Sequence, residues 1–255
     1  LLVLGEFKKQ VLENSTHKTL QFHYPYQLFI PYHPGSPVGV QVYSYEPFKS
    51  SEFEKLHWYP ISMYNKSLRS SYLKSWKSGA PSHVAHWDRS YVKLTWSFGS
   101  KKFSLVPIHL LEPWAAIEKA KGGFNAFSSF IANTGDNPLN NQIMHLQDKL
   151  TRDFGEDLSE NPFVLLGDFN IPKRIFGLTP RIYANLSKDL SEAFWGNPKT
   201  FPTKSTKGDA HKIFKHISIK IDHAFSNKYL EFSEREVIHL KGSDHYPLYL
   251  LINES

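Results

Sequence analysis

Short apolar runs separated by turn-rich stretches, with no long run anywhere, constrain this sequence most. The runs occupy residues 1–4, 39–43, 91–96, 103–111, 163–166, 217–225 and 248–252. They have the length of strands and are bounded by turn residues. None approaches the roughly 18 consecutive apolar residues of a membrane-spanning helix. Two other segments read as helices. Residues 113–131 open on a proline but carry Gly122 and Gly123 inside, so a break is expected there. Residues 141–154 place Ile143, Leu146, Leu150 and Phe154 near helical spacing. No repeat period or low-complexity linker appears. Strands outnumber helices and the two are mixed, which fits a layered α/β sandwich better than a strict βαβ alternation. A length of 255 residues suffices for one large α/β domain or two small ones.

The chain holds no cysteine. Disulfides, thiolate nucleophiles and zinc–thiolate sites are therefore excluded. A net charge of +6 fits an anionic partner such as phosphate, nucleic acid or a membrane surface without requiring one. The first residues, LLVLGEF, begin inside an apolar run, so residues upstream are expected to be missing from this sequence. Asn14, Asn65 and Asn185 head Asn-X-Ser/Thr triplets, which matter only in a secretory setting.

Residues 55–87 contain no acidic residue but carry Lys55, Lys66, Arg69, Lys74 and Lys77, interleaved with Trp58, Tyr59, Tyr64, Tyr72 and Trp76. On a helix, Leu68, Tyr72 and Trp76 would share one face. The plain expectation is a surface insertion whose aromatics pack on the body. The sharper one is a substrate-facing patch, with cations for phosphate and rings for stacking or lipid contact.

Acids and histidines recur where strands should end. Glu6 follows the first run, His109 lies in SLVPIHLLEP, and Asp168 and Asn170 follow VLLG. Asp222 and His223 lie in ISIKIDHAF, and Asp244 and His245 precede the last strand. Ionisable groups beside buried residues are costly unless paired or metal-bound, so a common purpose is implied. Strand alternation puts residues i and i+2 on one face, so Asp168 and Asn170 are expected to aim together. The same rule separates Asp222 from His223, making His223 a packing or hydrogen-bonded core residue.

Each motif alone is weak, since Gly-Asp-Phe-Asn also suits a plain turn. Their order resembles the endonuclease/exonuclease/phosphatase superfamily of metal-dependent phosphoesterases, deoxyribonuclease I-like in fold. The likeness runs from LLVLGE to GSDHYPLYLLI. It implies a single domain over residues 1–255, with residues 44–90 as a family-variable insertion, folded as a four-layer α/β/β/α sandwich of two mixed sheets. It implies that Glu6 binds metal, Asp168 orients or deprotonates the attacking water, and Asn170 holds water or phosphate. By the same likeness His245 is the phosphate-contacting histidine or base, Asp222 orients it, Asp244 is a metal or neighbouring group, and His109 contacts phosphate. The family's first strand, which carries a metal-site asparagine, has no counterpart here. The arginine that often follows a segment like GVQVYS is replaced by Tyr45.

The chemistry is coherent on its own terms. Hydrolysing a phosphate ester needs an aligned water, a proton acceptor and cations against phosphoryl charge. Glu6 and Asp244 offer the hard oxygens that suit Mg²⁺ or Mn²⁺. No serine or cysteine nucleophile stands out, which favours direct attack by water. The expected activity is hydrolysis of a phosphodiester in nucleic acid. The alternatives are a lipid or small phosphoester of the sphingomyelinase type, with peripheral membrane contact, or an inactive binding module on the same fold. A second basic loop, with Lys204, Lys207, Lys212 and Lys215, supports the nucleic-acid reading.

Overall fold

The computed structural model describes residues 1–9, 15–33, 35–75, 87–111, 138–174, 179–194, 196, 198–201, 220–239 and 245–255. In chain order the elements are β1 (Leu2–Lys8), α1 (Ser15–His23), β2 (Tyr26–Pro31), β3 (Val38–Ser44), β4 (Lys49–Ser50), β5 (Glu54–Leu56) and α2 (Lys66–Ser75). Then come β6 (Arg89–Tyr91), β7 (Leu94–Phe98), β8 (Lys101–His109), α3 (Pro138–Phe154), β9 (Phe163–Asp168) and α4 (Arg181–Leu186). The chain closes with β10 (Ser191–Glu192), β11 (Asp222–Ser226), β12 (Leu230–Val237) and β13 (Leu248–Glu254).

The strands form an α/β sandwich. One sheet has the order β1-β3-β2, and a six-stranded sheet has the order β10-β11-β9-β8-β7-β4. Only the β8–β9 pair is parallel among the ladders of the larger sheet. Two further antiparallel pairs are β5–β6 and β12–β13. Val40 and Val42 of the smaller sheet, with Leu230 and Phe232 of β12, share one apolar core with Leu94, Leu105, Val164 and Ala224. The opposite face of the larger sheet, through Val106, Ile108, Leu165 and Phe225, packs on Ile143, Leu146 and Leu150 of α3 and on Ile182 and Leu186 of α4. The central strands are thus covered on both sides, which is why VPIH and FVLL read as continuous apolar runs rather than alternating ones. Pro107 is tolerated inside β8 because the pairing with β7 stops at Leu105↔Leu94.

Several expectations need correction. The run 91–96 is two strands in different sheets, β6 and β7, with Val92 and Lys93 between them. The run 217–225 yields a strand only from Asp222; Lys220 and Ile221 precede it, and residues 217–219 lie outside the described residues. Helix α3 starts at Pro138, before the apolar spacing begins, where a proline needs no N–H partner. The expected helix over 113–131 lies outside the described residues. In the 55–87 segment, Trp58, Tyr59 and Trp87 are core residues at 5% exposure or less. Asn141 and Gln142 of α3 donate hydrogen bonds to the carbonyls of Trp58 and Trp87. There the aromatics pack on the body, as the plain reading expects. The side chain of Tyr72 and all of Trp76 and Lys77 lie outside the described residues. Among the described residues no helix is long and apolar enough to cross a membrane.

Candidate active site

Strand register builds the site. His109 is paired with Asp168 across β8 and β9, and Asp168 with Asp222 across β9 and β11. Directly paired residues share a face, so three polar side chains form one row across three strands. The row sits at one end of the sheet, because β8 and β9 finish there and β11 starts there.

His245 completes the row from the segment before β13. Its Nδ1 lies 2.9 and 3.1 Å from the two carboxylate oxygens of Asp222. An ionised carboxylate only accepts, so Nδ1–H donates and, in the neutral ring, Nε2 keeps its lone pair. That Nε2 is 3.9 Å from Asp168 Oδ2. The same oxygen is 3.9 Å from His109 Nδ1. Both gaps are too long for a direct hydrogen bond and suit an intervening oxygen atom. Thr200, fully buried, sets the height of His245 against Asp222. Its Oγ1 accepts from the backbone N–H groups of Ile221 and Asp222 at 3.1 and 3.3 Å, and its carbonyl accepts from Tyr246 N–H at 2.9 Å.

Asp168 and Asn170 are both buried and adjoin one another, but not through strand alternation. The strand stops at Asp168, and Asn170 takes a left-handed conformation with φ 52°. Asn is among the side chains that tolerate this region. Asp168 Oδ1 accepts the Asn170 N–H at 2.7 Å, and Asn170 Nδ2 donates to the Leu110 carbonyl at 2.9 Å. A turn therefore does what the i, i+2 rule was expected to do.

Burial, the Arg89 charge and the His245 charge hold the His109 pKa well below the usual histidine range. His109 is accordingly a neutral imidazole at physiological pH. Tyr32, just past β2, stacks on it with ring centres 4.0 Å apart and planes 16° apart.

Behind the row lies a buried ionic cluster centred on Glu192. Its carboxylate accepts from Lys220 Nζ, from Lys173 Nζ at 2.6 Å and from the Tyr183 hydroxyl at 2.5 Å, and it lies 2.8 Å from His223 Nδ1. His223 is fully buried, and its Nε2–H donates to the Ile171 carbonyl at 2.7 Å. It is thus turned away from Asp222, as strand alternation predicts. Burial pushes the Lys220 pKa down to about 8 against the pull of Glu192. Burial raises the pKa of Glu192, but His223, Lys220 and Lys173 outweigh it and hold the carboxyl far below its usual range.

Of the expected site residues, the structure brings together His109, Asp168, Asn170, Asp222 and His245. Asp244 and the side chain of Glu6 lie outside the described residues. Ligand atoms of Asp168, Asp222 and His245 lie within 4.8 Å of one another, as a divalent cation would require. Two carboxylates set directly opposite in paired strands repel unless a cation or a protonated partner lies between them, so the row fits a bound metal. Sequence reasoning missed Tyr32, Thr200 and Glu192. Lys220 did leave a signal, as a lysine inside the apolar run ISIKI.

No protein-family model matches the sequence, and no curated protein matches it in sequence. Solved structures match in fold. The human Nocturnin catalytic domain, with a bound sulfate anion, aligns at a TM-score of 0.59 and 15% identity over 100% of this chain and 80% of that one. Sphingomyelinase C from Streptomyces griseocarneus aligns at 0.56 and 16% identity over 99% and 85%. An endonuclease/exonuclease/phosphatase from Bacteroides vulgatus aligns at 0.55 and 14% identity over 100% and 85%. The chain has the fold of the endonuclease/exonuclease/phosphatase proteins.

Proposed function

We propose that this chain is a metal-dependent phosphoesterase that cleaves a phosphodiester in nucleic acid by direct attack of water. One observation carries the reading. Asp222 holds Nδ1 of His245 so that its Nε2 faces Asp168 across 3.9 Å, a gap that one oxygen atom bridges. A water there meets two proton acceptors, and general-base assistance of this kind is worth roughly 10²–10⁴ in rate. His109, 3.9 Å from the same Asp168 oxygen, and Asn170, whose backbone N–H is bonded to Asp168, would contact the phosphoryl oxygens. Asp168, with Glu6 and Asp244, would hold Mg²⁺ or Mn²⁺, which neutralises phosphoryl charge when bound. His245 is a poor ligand for such hard ions and serves better as the base that Asp222 orients. The sulfate in the Nocturnin domain shows that one protein of this fold accepts a tetrahedral anion.

The nucleic-acid substrate draws support from the exposed cations of the 55–87 segment, where Lys66 and Lys74 are open to solvent. The likeness to a sphingomyelinase keeps a lipid phosphodiester as the second reading. Trp58 does not support it, being buried at 1% exposure and unable to reach a bilayer. Bis(p-nitrophenyl) phosphate should be cleaved with Mg²⁺ or Mn²⁺ and not with EDTA. His245→Ala or Asp168→Asn should abolish nearly all turnover with little change in melting temperature. Parallel assays on DNA, RNA and sphingomyelin vesicles decide the substrate. A rate on DNA or RNA that falls steeply with salt is expected. Cleavage of sphingomyelin alone would overturn the nucleic-acid reading, and metal-independent or absent cleavage of every substrate would overturn the enzyme.

A further inference from the structure

A buried imidazole at a reactive centre is usually aimed by a hydrogen bond to its second nitrogen. Asp222 does this for His245. His109 has no direct partner of this kind: its Nδ1 is buried and makes no hydrogen bond among the described residues, with Asp168 Oδ2 3.9 Å away, beyond direct reach. What its ring does have is a flat surface. The Tyr32 ring lies parallel to it at 4.0 Å. Tyr32 is itself pinned, since its N–H donates to the Val38 carbonyl at 3.0 Å. The hydroxyl of Ser90 donates to the carbonyl of Pro31, tying the end of β2 to β6. The Arg89 guanidinium carbon sits 5.6 Å from the centre of the same tyrosine ring. Tyr32 and His109 themselves line a small cavity, together with Ile30, Val40, Ser90 and Pro107, with room for about one water.

We propose that Tyr32 is a positioning residue for His109, its ring fixing the plane in which the imidazole meets the reacting phosphoryl group. This rests on the phosphoesterase reading of the site. Stacking supplies through a surface what hydrogen bonding supplies elsewhere through an edge. Without the ring, the cavity that Tyr32 and His109 line would widen, and His109 would tilt into it and lose its alignment with Asp168.

The consequence is specific: Tyr32 matters only through His109, and only through its ring. With bis(p-nitrophenyl) phosphate and Mn²⁺, Tyr32→Leu should lower kcat about five- to tenfold at nearly unchanged KM, and Tyr32→Phe should keep wild-type turnover. In a His109→Ala background, Tyr32→Leu should cost nothing further. Full additivity of the two losses, or a Phe variant as slow as the Leu variant, would overturn the proposal. NMR of the histidine ring protons reads the clamp without activity. Those of His109 should be displaced by the ring current of Tyr32 and return in Tyr32→Leu, and unchanged signals would also overturn it. Should Tyr32→Leu not fold, Tyr32→Met takes its place in both measurements. A wild-type chain that cleaves no phosphoester would sink the enzyme reading, while the spectra would still decide the clamp.

Discussion

Replacing Glu192 with Gln keeps the shape of the side chain and removes its charge, which makes it a clean probe of the buried cluster. Lys220 is 0% exposed and Glu192 8%. Two terms set the cost. The first is Lys220, left without its carboxylate. With its pKa already at about 8, it can shed its proton at pH 7 for about 1.4 kcal/mol, so this share is capped there. The second is the loss of charge assistance in the bonds from Lys173, Tyr183 and His223, worth about 1 kcal/mol each. The sum is about 4 kcal/mol, in line with breaking a buried pair. Above pH 8 Lys220 is neutral in both proteins, so the difference should shrink to about 3 kcal/mol at pH 9. The sign follows from the depressed lysine pKa. Between pH 8 and about 10.4 the unfolded chain binds the extra proton, so this group alone makes the wild type more stable as pH rises. Urea unfolding followed by tryptophan fluorescence at pH 7 and pH 9 measures both values. A loss below about 1 kcal/mol, or one that grows with pH, would refute the reasoning.

Gly167→Ala should abolish folding, because φ there is 138° and a Cβ would stand 1.9 Å from the Ile108 carbonyl oxygen; circular dichroism of the purified variant is the check. Glu54 has its pKa held at about 2 by Arg152, against a desolvation penalty and with help from Lys149. Its depressed pKa contributes stability above the unfolded value of about 4.3 that disappears as pH falls towards 2, so Glu54→Gln should flatten the acid limb of a stability–pH curve.

The strands were legible wherever both faces are buried, because a continuous apolar run needs no partner to be recognised. Residues 103–111 and 163–166 are of this kind. Strand β12, LEFSEREV, was missed because a half-exposed strand with four charged residues carries little apolar signal of its own. Its place is set by pairing with β13, through Phe232↔Ile252 and Val237↔Leu248. The run 91–96 was misread for the opposite reason. Its apolar residues are continuous, but Tyr91 belongs to the helix-side core and Leu94 to the core between the sheets. No local pattern tells a reader that a chain changes sheets in two residues.

The candidate site was legible as a set of residues but not as a geometry. Alternation rightly turned His223 away from Asp222, because both lie inside one strand. It failed for Asn170, since the strand ends two residues earlier and a left-handed turn takes over. The row His109–Asp168–Asp222 depends on two registers, between residues 59 and 54 apart in sequence, and register is set by core packing rather than by the polar residues themselves. Asp168 faces His109 on one side and Asp222 on the other, so it is the one group whose position requires both ladders to be correct. Helix α3 lies between β8 and β9 in the chain and packs Ile143, Leu146 and Leu150 against Val106, Ile108 and Leu165 of those two strands. Helix α3 thus supports the ladder that carries Asp168, and in that ladder Gly167, with φ 138°, leaves no room for a Cβ beside the Ile108 carbonyl oxygen of β8.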